Sequence, residues 1–457
     1  MNAERTLDTR QKIILALLIA ASAILIWINW FGYLLTVVGI CIALYILTAA
    51  FKLYPLIRSG RGGAFRFTGE EISELKDDSL PRYTIMVPLY REGEVVEGLI
   101  EAISNMDYPK GKLEVLLLLE EDDGETMEAL KRMRMPENFK KLIVPGGYPK
   151  TKPRACNFGL RHATGEYLVI YDAEDRPERD QLKRAALAFR KCGDEKVACF
   201  QAKLNFYNPR QNLLTKLFRL EYTFWFDLML PALSSINAPV PLGGSSNHFR
   251  REVLEKIGGW DEFNVAEDCD MGMRLKRGGY RVGVLNSTTW EEATSELGNW
   301  MGQRSRWMKG YIQTYLVHMR EPVRCMREIG VFNFLIFNMI VGFGTMLSLL
   351  NPVFWLMFLW HMASGSALIE SLFPGVIGYM GSFSLIFLNF AFIYLMIISA
   401  LVREDYDLVK YGLLSPISWV LMSVAGWKGL VELIHKPHYW HKTEHGSLKR
   451  LPHNPRL

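Results

Sequence analysis

The stretch LEVLLLLEEDD at residues 113–123 decides the fold. Six of its first seven residues are Leu or Val, and in an extended chain they point to both faces of a sheet. Strands buried on both faces are typical of parallel sheets. Four acidic residues follow directly, and ligands of such sheets bind at the carboxyl ends of strands. The stretch therefore predicts a buried strand that delivers carboxylates to a binding edge.

Similar apolar stretches indicate further strands of the same sheet. They are YTIMVP at residues 83–88, YLVIY at residues 167–171, and residues 197–202. Helical patterns at residues 95–106 and 157–162 lie between them. The alternation of strands and helices predicts one mostly parallel α/β domain, from about residue 81 to about residue 310.

Apolar residues are concentrated at the two ends of the chain, which has 457 residues, 49% hydrophobic and 22% charged. The runs at residues 13–30 and 33–51 are each long enough to cross a hydrocarbon core, which takes about 20 residues. A signal peptide is the alternative for the first run. We reject it because the run continues past the candidate cleavage site at residues 21–23 and a second run follows.

Four more spans are predicted in the C-terminal part, at residues 331–350, 352–373, 376–401 and 411–434. For the second of these, the Asn351-Pro352 break leaves a kink or a re-entrant piece as alternatives. An even number of spans places both termini on one side, with the loop at residues 403–410 on the other. Basic residues after the second run make the side of the termini cytoplasmic; they are Lys52, Arg58, Arg61 and Arg66.

The expected organisation is a catalytic domain inserted between transmembrane segments of the plasma or inner membrane. Its parts are two helices in residues 1–52, a cytoplasmic domain in residues 53–320, a bundle of about four spans in residues 321–436, and a cytoplasmic tail in residues 437–457. A net charge of +5 gives no case for nucleic acid as a partner. The six cysteines form no CxxC pair, which favours reduced thiols over disulfides or zinc.

Two segments of the middle part have the composition of membrane-surface helices. Residues 212–231 are rich in Leu, Phe and Trp, with few charges. This composition predicts an amphipathic helix on the membrane surface, with a buried core helix as the alternative. Residues 299–315 are a second candidate for such a helix.

Acidic residues after the third predicted strand favour a metal site. Asp172, Glu174 and Asp175 can bind a hard divalent cation through oxygen, and such an ion offsets the charge of departing phosphates. An acidic turn that caps the next helix is the alternative. Further along, Asp268 starts a predicted helix at residues 268–277. It is either an N-cap or a general base that takes a proton from an acceptor hydroxyl.

The run QRSRW at residues 303–307 provides a third candidate cluster. Gln303, Arg306 and Trp307 share one helix face at spacing i, i+3, i+4. An amide, a guanidinium and a flat ring can hold a diphosphate and a sugar. The turn GGSSN at residues 243–247 brings backbone close to a ligand or is a plain loop; without a Walker lysine it is not a P-loop. His248 is expected to be structural, since no metal-ligand partner lies at ligand spacing.

Together these motifs resemble the membrane-integrated family 2 glycosyltransferases, the group of cellulose, hyaluronan and chitin synthases with the D,D,D,QxxRW pattern. The resemblance covers residues 83–315, with spans on both sides. The motifs, in order, are VPLYRE at 87–92, EEDD at 120–123, KPRACNFGL at 152–160, YDAED at 171–175, GGSSN at 243–247, AED at 266–268, TWEEA at 289–293 and QRSRW. PHYWHKTEHG at 437–446 also looks like the tail of bacterial members.

The resemblance implies a GT-A-type fold, a nucleotide-sugar donor (a UDP-sugar first) and Mg²⁺ or Mn²⁺ as cofactor. It also implies roles for individual residues. Those expected to bind the donor are Tyr90, Glu92, Glu121 or Asp122, Lys152, Asp172 and Glu174. Those expected at the acceptor and diphosphate are Glu267, Gln303, Arg306 and Trp307. Asp268 would be the single base of an inverting displacement.

The chain also departs from the family pattern. EEDD stands where two aspartates are usual, so any of Glu120 to Asp123 could act. In DAED, Glu174 occupies the usual second aspartate, and Asp175 is the alternative. No FxVT-type gating loop follows QRSRW, and from the short tail after residue 434 we expect no PilZ-type control within this chain.

Three functions remain open from the sequence. The first is processive extension of a polysaccharide with secretion through the bundle, with or without an accessory export protein. The second is transfer of one sugar to a polyprenyl phosphate or another lipid. The third is a receptor or scaffold with a decayed transferase domain, which the complete acidic set disfavours. Membrane lipids are partners in every case.

Overall fold

A computed structural model describes residues 2–60 and 63–443. Nine strands form one sheet in the order β1-β9-β7-β8-β5-β2-β3-β4, with β6 paired to β9. The strands are β1 (Ala64–Phe65), β2 (Tyr83–Leu89), β3 (Leu113–Glu120), β4 (Phe139–Val144), β5 (Tyr167–Ile170), β6 (Arg176–Pro177), β7 (Val197–Phe206), β8 (Asn247–Arg250) and β9 (Arg281–Glu291).

Most strand pairs of the sheet are parallel, as predicted. The parallel pairs are β2–β3, β2–β5, β3–β4, β7–β9 and β1–β9, whereas β8 is antiparallel to β5 and β7, and β6 is antiparallel to β9. The four strands expected from the sequence are β2, β3, β5 and β7. The carboxyl ends of β3, β2 and β5 therefore lie side by side on one edge of the sheet.

Three longer strands were not predicted, for identifiable reasons. In β4, two lysines break the apolar run and remain exposed at the sheet edge. The strand β8 reads NHFR and carries mostly polar side chains, and β9 mixes Gly, Asn, Ser and Thr with its apolar residues. Both are buried by neighbouring strands, so their placement depends on tertiary pairing rather than on local pattern.

Ten α-helices belong to the α/β domain. They are α2 (Gly69–Ser73), α3 (Val96–Ser104), α4 (Gly124–Lys131), α5 (Lys152–Leu160), α6 (Gln181–Lys191), α7 (Leu213–Thr223), α8 (Leu230–Ser235), α9 (Arg251–Lys256), α10 (Glu267–Arg277) and α11 (Leu297–His318). Short 3₁₀ helices lie at Asp77–Ser79 and Lys110–Lys112, and a π-helix lies at Phe224–Met229. Helix α5 begins earlier than predicted, because Pro153 fits its first turn.

The core lies on both faces of the sheet. In β3, Leu116 and Leu118 belong to one apolar cluster, while Val115, Leu117 and Leu119 belong to the other. All seven residues of LEVLLLL are buried, as the opening stretch predicts. All six cysteines are free.

Helix α1 (Thr9–Ser59) contains both predicted N-terminal runs and bends at Asn29, whose backbone is non-helical. The Asn29 side chain accepts from the Gly32 N–H at 2.9 Å and restarts the helix. Near one end, Gln11 donates to the Leu316 carbonyl; near the other, the Tyr54 ring lies 5.5 Å from that of Phe332. A straight helix would separate Gln11 and Tyr54 by roughly 65 Å. Because their contacts, Leu316 and Phe332, belong to one short stretch of the chain, α1 must fold back into two arms.

Residues 322–435 are mostly helical. Their helices are α12 (Pro322–Ile329), α13 (Val331–Phe337), α14 (Gly344–Ser364), α15 (Ala367–Ser371), α16 (Gly375–Phe383), α17 (Asn389–Val402), α18 (Val409–Gly412) and α19 (Ser415–His435), with π-helices at Asn338–Phe343 and Ser384–Leu388 and a 3₁₀ helix at Tyr406–Leu408. Four helical segments of the described chain are long and apolar enough to cross a membrane: Thr9–Ser59, Val331–Ser364, Gly375–Val402 and Ser415–His435.

The C-terminal helices differ from the four separate spans that we expected. The runs at residues 331–350 and 352–373 share one continuous segment, Val331–Ser364, with Pro352 inside a helix. The indole N–H of Trp427 donates to the carbonyl of Leu349, close to the proline, at 3.0 Å. A proline is tolerated where a neighbouring helix bonds backbone groups in this way.

The loop at residues 403–410 lies against the α/β domain, contrary to our expectation that it faces the opposite side. Arg403 pairs with Asp227 at 2.7 Å, and Asp405 pairs with Arg219 at 2.7 Å. At the other end of α19, Glu432 pairs with Lys309 of α11 at 3.2 Å. The chain that leads into α19 and the C-terminal end of α19 therefore both contact the domain, and α19 packs along α11 rather than pointing away from the domain.

The predicted surface helix at residues 212–231 corresponds to α7, the following π-helix and the start of α8. Its Leu217, Phe218, Tyr222 and Phe226 side chains are buried. Helix α7 packs against β7 on one side and against α17 on the other. The segment thus joins the α/β domain to the long apolar helices.

Candidate active site

One cavity of about 1230 Å³ opens at the carboxyl edge of the sheet and extends between the long helices. Most predicted site residues line it. They are Tyr90, Glu92, Lys152, Asp172, Glu174, Glu267, Asp268, Gln303, Arg306 and Trp307. Three predicted residues are not in its wall, namely Glu121, Asp122 and Asp175.

A lysine and an aspartate meet at the centre of the edge. Lys152, at the start of α5, places its Nζ 2.5 Å from Oδ1 of Asp172 and donates to the Gly244 carbonyl at 2.5 Å. Burial alone would lower the pKa of Lys152, but the carboxylates of Asp172, Asp268 and Glu267 raise it. Lys152 therefore stays protonated, and its positive charge can neutralise a phosphate that binds beside it.

Asp175 shapes the turn after β5 rather than facing the cavity. Its Oδ2 accepts from the backbone N–H of Asp172 at 2.8 Å, and the residue is fully buried. Burial, with Asp172 and Glu174 close by, raises its pKa well above the usual range. Asp175 thus holds the loop that presents Asp172 and Glu174.

Asp172 and Glu174 fit a divalent cation that takes other oxygens from its ligand. Both carboxyl groups lie in the cavity wall, and carboxylate oxygens suit Mg²⁺ or Mn²⁺. Among the described residues, no three His, Cys, Asp or Glu side chains form a complete metal site. Two carboxylates plus phosphate oxygens are the set that Mg²⁺ commonly uses with nucleotides.

Asp268 faces the same space from the start of α10. A Cβ placed on Gly244 would lie 3.5 Å from Oδ2 of Asp268 and 3.9 Å from Oδ2 of Asp172. Ala266 occupies the N-cap and no side chain caps this helix, so Asp268 is not its N-cap. Burial and the neighbouring Glu267 raise the pKa of Asp268 well above its usual range. A raised pKa suits a general base.

Helix α11 presents the predicted face of QRSRW to the cavity. Arg306 donates to the Val265 carbonyl at 3.0 Å, and burial lowers its pKa against the opposing effect of Glu267 and Asp268. The Oε1 atom of Gln303 has no hydrogen-bond partner among the described residues. The Trp307 ring stacks on Tyr222 with centroids 6.3 Å apart.

The EEDD cluster is mostly turned away from the cavity. Glu120 lines the cavity wall and pairs with Arg154 at 2.7 Å. Glu121 and Asp122 are exposed; Glu121 accepts from the Gly146 N–H and Asp122 pairs with Lys150 at 2.5 Å. Asp123 is buried and caps α4. Glu120 is therefore the member of this cluster that faces the cavity.

The neighbourhood of Tyr90 and Glu92 carries mixed charge. The Nζ of Lys150 lies 3.9 Å from the centre of the Tyr90 ring. Glu92 pairs with Lys442 at 3.3 Å. Burial raises the pKa of Glu92 to about 8, with a further contribution from Glu174 and an opposing one from Lys442.

Sequence reasoning missed several polar and aromatic residues of the cavity wall, among them Glu291, Trp440 and Lys442. The register Arg176↔Trp290 places Glu291 opposite Asp175, and burial beside Asp175 and Glu174 raises its pKa well above the usual range. The TWEEA and PHYWHKTEHG motifs contained these residues, but neither motif suggested a role. His248 is structural, as expected: it contacts Tyr83 Oη at 2.7 Å, and burial lowers its pKa to about 3.

Residues 167–402 match the model described as Glycosyl transferase family group 2. The match covers more than half of the chain, so the chain belongs to this family. The prediction of a glycosyltransferase is thereby confirmed at the level of the family. The narrower assignment to cellulose and hyaluronan synthases stays a prediction.

Curated relatives carry several names. "Probable glycosyltransferase YdaM" of Bacillus subtilis is 27% identical over 285 residues, covering 60% of this chain and 66% of the relative. "Beta-monoglucosyldiacylglycerol synthase" of Trichormus variabilis is 28% identical, covering 52% and 50%. "Probable glucomannan 4-beta-mannosyltransferase 15" of Arabidopsis thaliana is 28% identical, covering 53% and 46%. The chain thus spans about half to two-thirds of the length of these relatives.

A solved structure supports the GT-A-type fold. The mannosyltransferase PcManGT from Pyrobaculum calidifontis, in complex with GDP-Man and Mn²⁺, superposes with a TM-score of 0.52 at 21% identity. The alignment covers 86% of this chain and 99% of that protein. At this level of identity the likeness concerns the fold alone.

Proposed function

We propose that the protein transfers a sugar from a nucleotide sugar, with inversion, to an acceptor hydroxyl that enters the cavity from the helix bundle. One observation carries the proposal. The acidic pair Asp172 and Glu174, the carboxyl of Asp268 and the Arg306/Trp307 face line the same cavity. Donor, base and acceptor groups can therefore meet in one space.

The donor diphosphate binds between Asp172 and Lys152. Asp172 and Glu174 would hold Mg²⁺ or Mn²⁺, which supplies charge neutralisation for the departing phosphates. Lys152 and Arg306 add two cations of the chain itself, both directed into the cavity. PcManGT, the structural relative, was solved with a nucleotide sugar and Mn²⁺, which supports this choice of ligand and ion.

Asp268 acts as the general base. Its raised pKa favours proton acceptance from the attacking hydroxyl as the bond to the donor sugar breaks. One base is sufficient for a single displacement, whereas two carboxylates of a retaining glycosidase serve two steps. The products are then a glycosidic bond with inverted configuration at the anomeric carbon and a free nucleoside diphosphate.

The acceptor that we place first is the end of a growing polysaccharide. Trp307 offers an aromatic face for a sugar ring beside Tyr222. Beyond it the cavity continues between the long helices, along Tyr45, Thr48, Ser348 and Trp419. A path of this kind would suit a chain that is extended and passed outward. The glucomannan mannosyltransferase among the relatives supports a polysaccharide product.

A lipid acceptor is the second candidate, and a lysine favours it. Lys52 lines the cavity between the long helices, and its Nζ lies 5.9 Å from the centre of the Phe392 ring. Among the described residues, no carboxylate lies within ion-pair distance of it. Such a cation can bind the phosphate of a lipid-linked acceptor. The monoglucosyldiacylglycerol synthase among the relatives also points to lipid.

We further propose that the α/β domain faces the cytoplasm of an inner or plasma membrane. The two arms of α1 and the segments Val331–Ser364 and Gly375–Val402 would cross the bilayer, and α19 would lie at its surface. Four crossings place both termini on the side of the domain. Lys52 and Arg58 near the end of the second arm favour the cytoplasm for that side.

Product size separates the two acceptor classes. We would reconstitute the protein in nanodiscs, offer a panel of UDP- and GDP-sugars with Mg²⁺ or Mn²⁺, and size the products. A long polymer supports processive extension, whereas a single-sugar lipid supports the second candidate. Trp307→Ala should keep donor binding and lose transfer; unchanged chain synthesis would contradict the role of the ring.

A further inference from the structure

The segment at residues 437–443, here called the strap, follows α19 and lies across the cavity. It contains PHYWHKT, and most of its residues line the cavity wall. No role for it follows from the family roles assigned above. Its contacts therefore need an explanation of their own.

Three hydrogen bonds attach the first residues of the strap to the α/β domain. Gln313 donates to the Pro437 carbonyl at 3.0 Å, and Lys309 donates to the Tyr439 carbonyl at 2.9 Å. His438 bonds the Phe263 carbonyl through Nδ1 at 2.9 Å. The strap is thus seated on α11, which carries Arg306, and on the loop that leads into α10, the helix that carries Asp268.

The far half of the strap reaches both sides of the candidate site. The Trp440 ring lies 4.2 Å from the guanidinium carbon of Arg306. Lys442 pairs with Glu92 at 3.3 Å and donates to the Arg91 carbonyl. Trp440 and Lys442 therefore connect two cavity residues, Arg306 and Glu92, that are far apart in the sequence.

Charge around Lys442 identifies the ligand that it fits. Glu92, its partner, is close enough to Glu174 and Asp172 for both to affect its ionisation. These are the carboxylates at which we place the donor diphosphate. An ammonium at this position suits the phosphates of a nucleoside diphosphate, since Lys binds phosphate as a point charge.

We propose that Lys442 belongs to the donor site and exchanges Glu92 for the diphosphate of the nucleotide sugar. The inference rests on the proposed function. The exchange leaves Glu92 without its cation, which would be costly for a buried carboxylate. Burial and Glu174 raise the pKa of Glu92 to about 8 even with Lys442 beside it, so at neutral pH a bound proton already offsets the charge of Glu92 when Lys442 moves. The strap thereby adds a further cation to the donor site, beside Lys152 of the α/β domain.

Nucleotide binding tests the role of Lys442 without any acceptor. Full-length protein in nanodiscs would be titrated calorimetrically with UDP, GDP and the matching nucleosides, in the presence of Mg²⁺. We expect Lys442→Gln and Lys442→Met to weaken diphosphate binding by roughly 10- to 30-fold, the effect of one charge-assisted hydrogen bond. Nucleoside binding should change less than twofold, and Lys442→Arg should retain most of the affinity.

Lys428→Gln is the matched control, because Lys428 is a half-exposed lysine on α19 outside the cavity wall. It should bind UDP as the unchanged protein does. Equal diphosphate affinity in Lys442→Gln, Lys442→Met and the unchanged protein would overturn the inference. An equal loss of nucleoside affinity would also overturn it, since Lys442 would then act on pocket shape. If the unchanged protein binds neither diphosphate, the proposed function itself fails.

Discussion

Two acidic loops follow β3 and β5, the strands on either side of β2 in the sheet, yet they face in different directions. After β3, EEDD leads at once into α4, and Asp123 caps that helix. Glu121 and Asp122 are thereby turned to the surface. After β5, Asp175 folds beneath the turn and bonds the backbone of Asp172, which leaves Asp172 and Glu174 in the cavity wall. Position at a strand end is therefore not sufficient; the turn that follows decides which carboxylates are available.

Two arginines of the QRSRW motif on helix α11 also differ in how they are placed. Arg304 is buried and forms a two-pronged pair with Glu221, both contacts at 2.8 Å. Arg306 has a backbone carbonyl and the Trp440 ring as its neighbours. We infer that Arg304 holds the helix in place, whereas Arg306 keeps its charge available for a ligand.

The largest expected difference between the acidic loops is in turnover. Asp172→Asn should lower nucleotide release by roughly 10²- to 10³-fold, because it removes a charge from the diphosphate and cation site. Asp122→Asn is the control, since Asp122 lies outside the cavity and pairs with Lys150; its rate should stay within about twofold. A loss in Asp122→Asn equal to that in Asp172→Asn would remove the distinction.

A substitution at Arg306 should mainly lower activity, whereas loss of the partner of Arg304 should mainly lower stability. Arg306→Lys should lower transfer by about 10- to 100-fold, because the guanidinium fork is lost, with little change in melting temperature. Glu221→Gln leaves Arg304 buried without its carboxylate, and should cost about 2–3 kcal/mol of unfolding free energy, reduced for the partial exposure of Glu221. Thermal unfolding and initial rates measure the two effects. Identical profiles for both variants would contradict the separation.

Glu120 tests whether the first loop contributes anything to the cavity. Its carboxylate lies in the wall and pairs with Arg154 behind it, so Glu120→Gln should weaken donor affinity by a few-fold and leave the maximal rate nearly unchanged. Donor titrations of the initial rate would show this as a higher KM. A large fall in the maximal rate would instead assign Glu120 to the reaction itself.

The smallest expected effect is a pH dependence of stability. Because burial raises the pKa of Glu92 to about 8, the folded protein holds a proton that the unfolded chain loses near pH 4.3. This contribution is complete below about pH 4.3 and is lost as the pH rises through about 8. Glu92→Gln should therefore show a flatter melting temperature across this range. A slope as steep as that of the unchanged protein would exclude Glu92 as the source.

Local sequence patterns predicted the parts of the site that lie close to one strand or one helix. The buried β3 and β5, and the shared face of Gln303, Arg306 and Trp307, follow from periods of two and 3.6 residues. The turn after β3 was not predictable, since four acidic residues in a row do not say which one caps the next helix.

Contacts between distant segments were out of reach for the same reason. Lys442 bonds the carbonyl of Arg91, which is 351 positions away in the chain, and nothing in either segment indicates the other. The loop at residues 403–410 was placed on the wrong side because the pairs of Arg403 and Asp405 with the α/β domain have no local signal. Such pairs depend on the path of the whole chain.

The role of Asp268 as the base is the central claim, and nucleotide release tests it most directly. The unchanged protein and Asp268→Asn would be compared in nanodiscs with the donor that the panel identifies, at saturating Mg²⁺ or Mn²⁺. We predict release by the unchanged protein and a loss of about 10²- to 10⁴-fold in Asp268→Asn, with UDP or GDP binding intact. Equal release by both proteins would contradict the account.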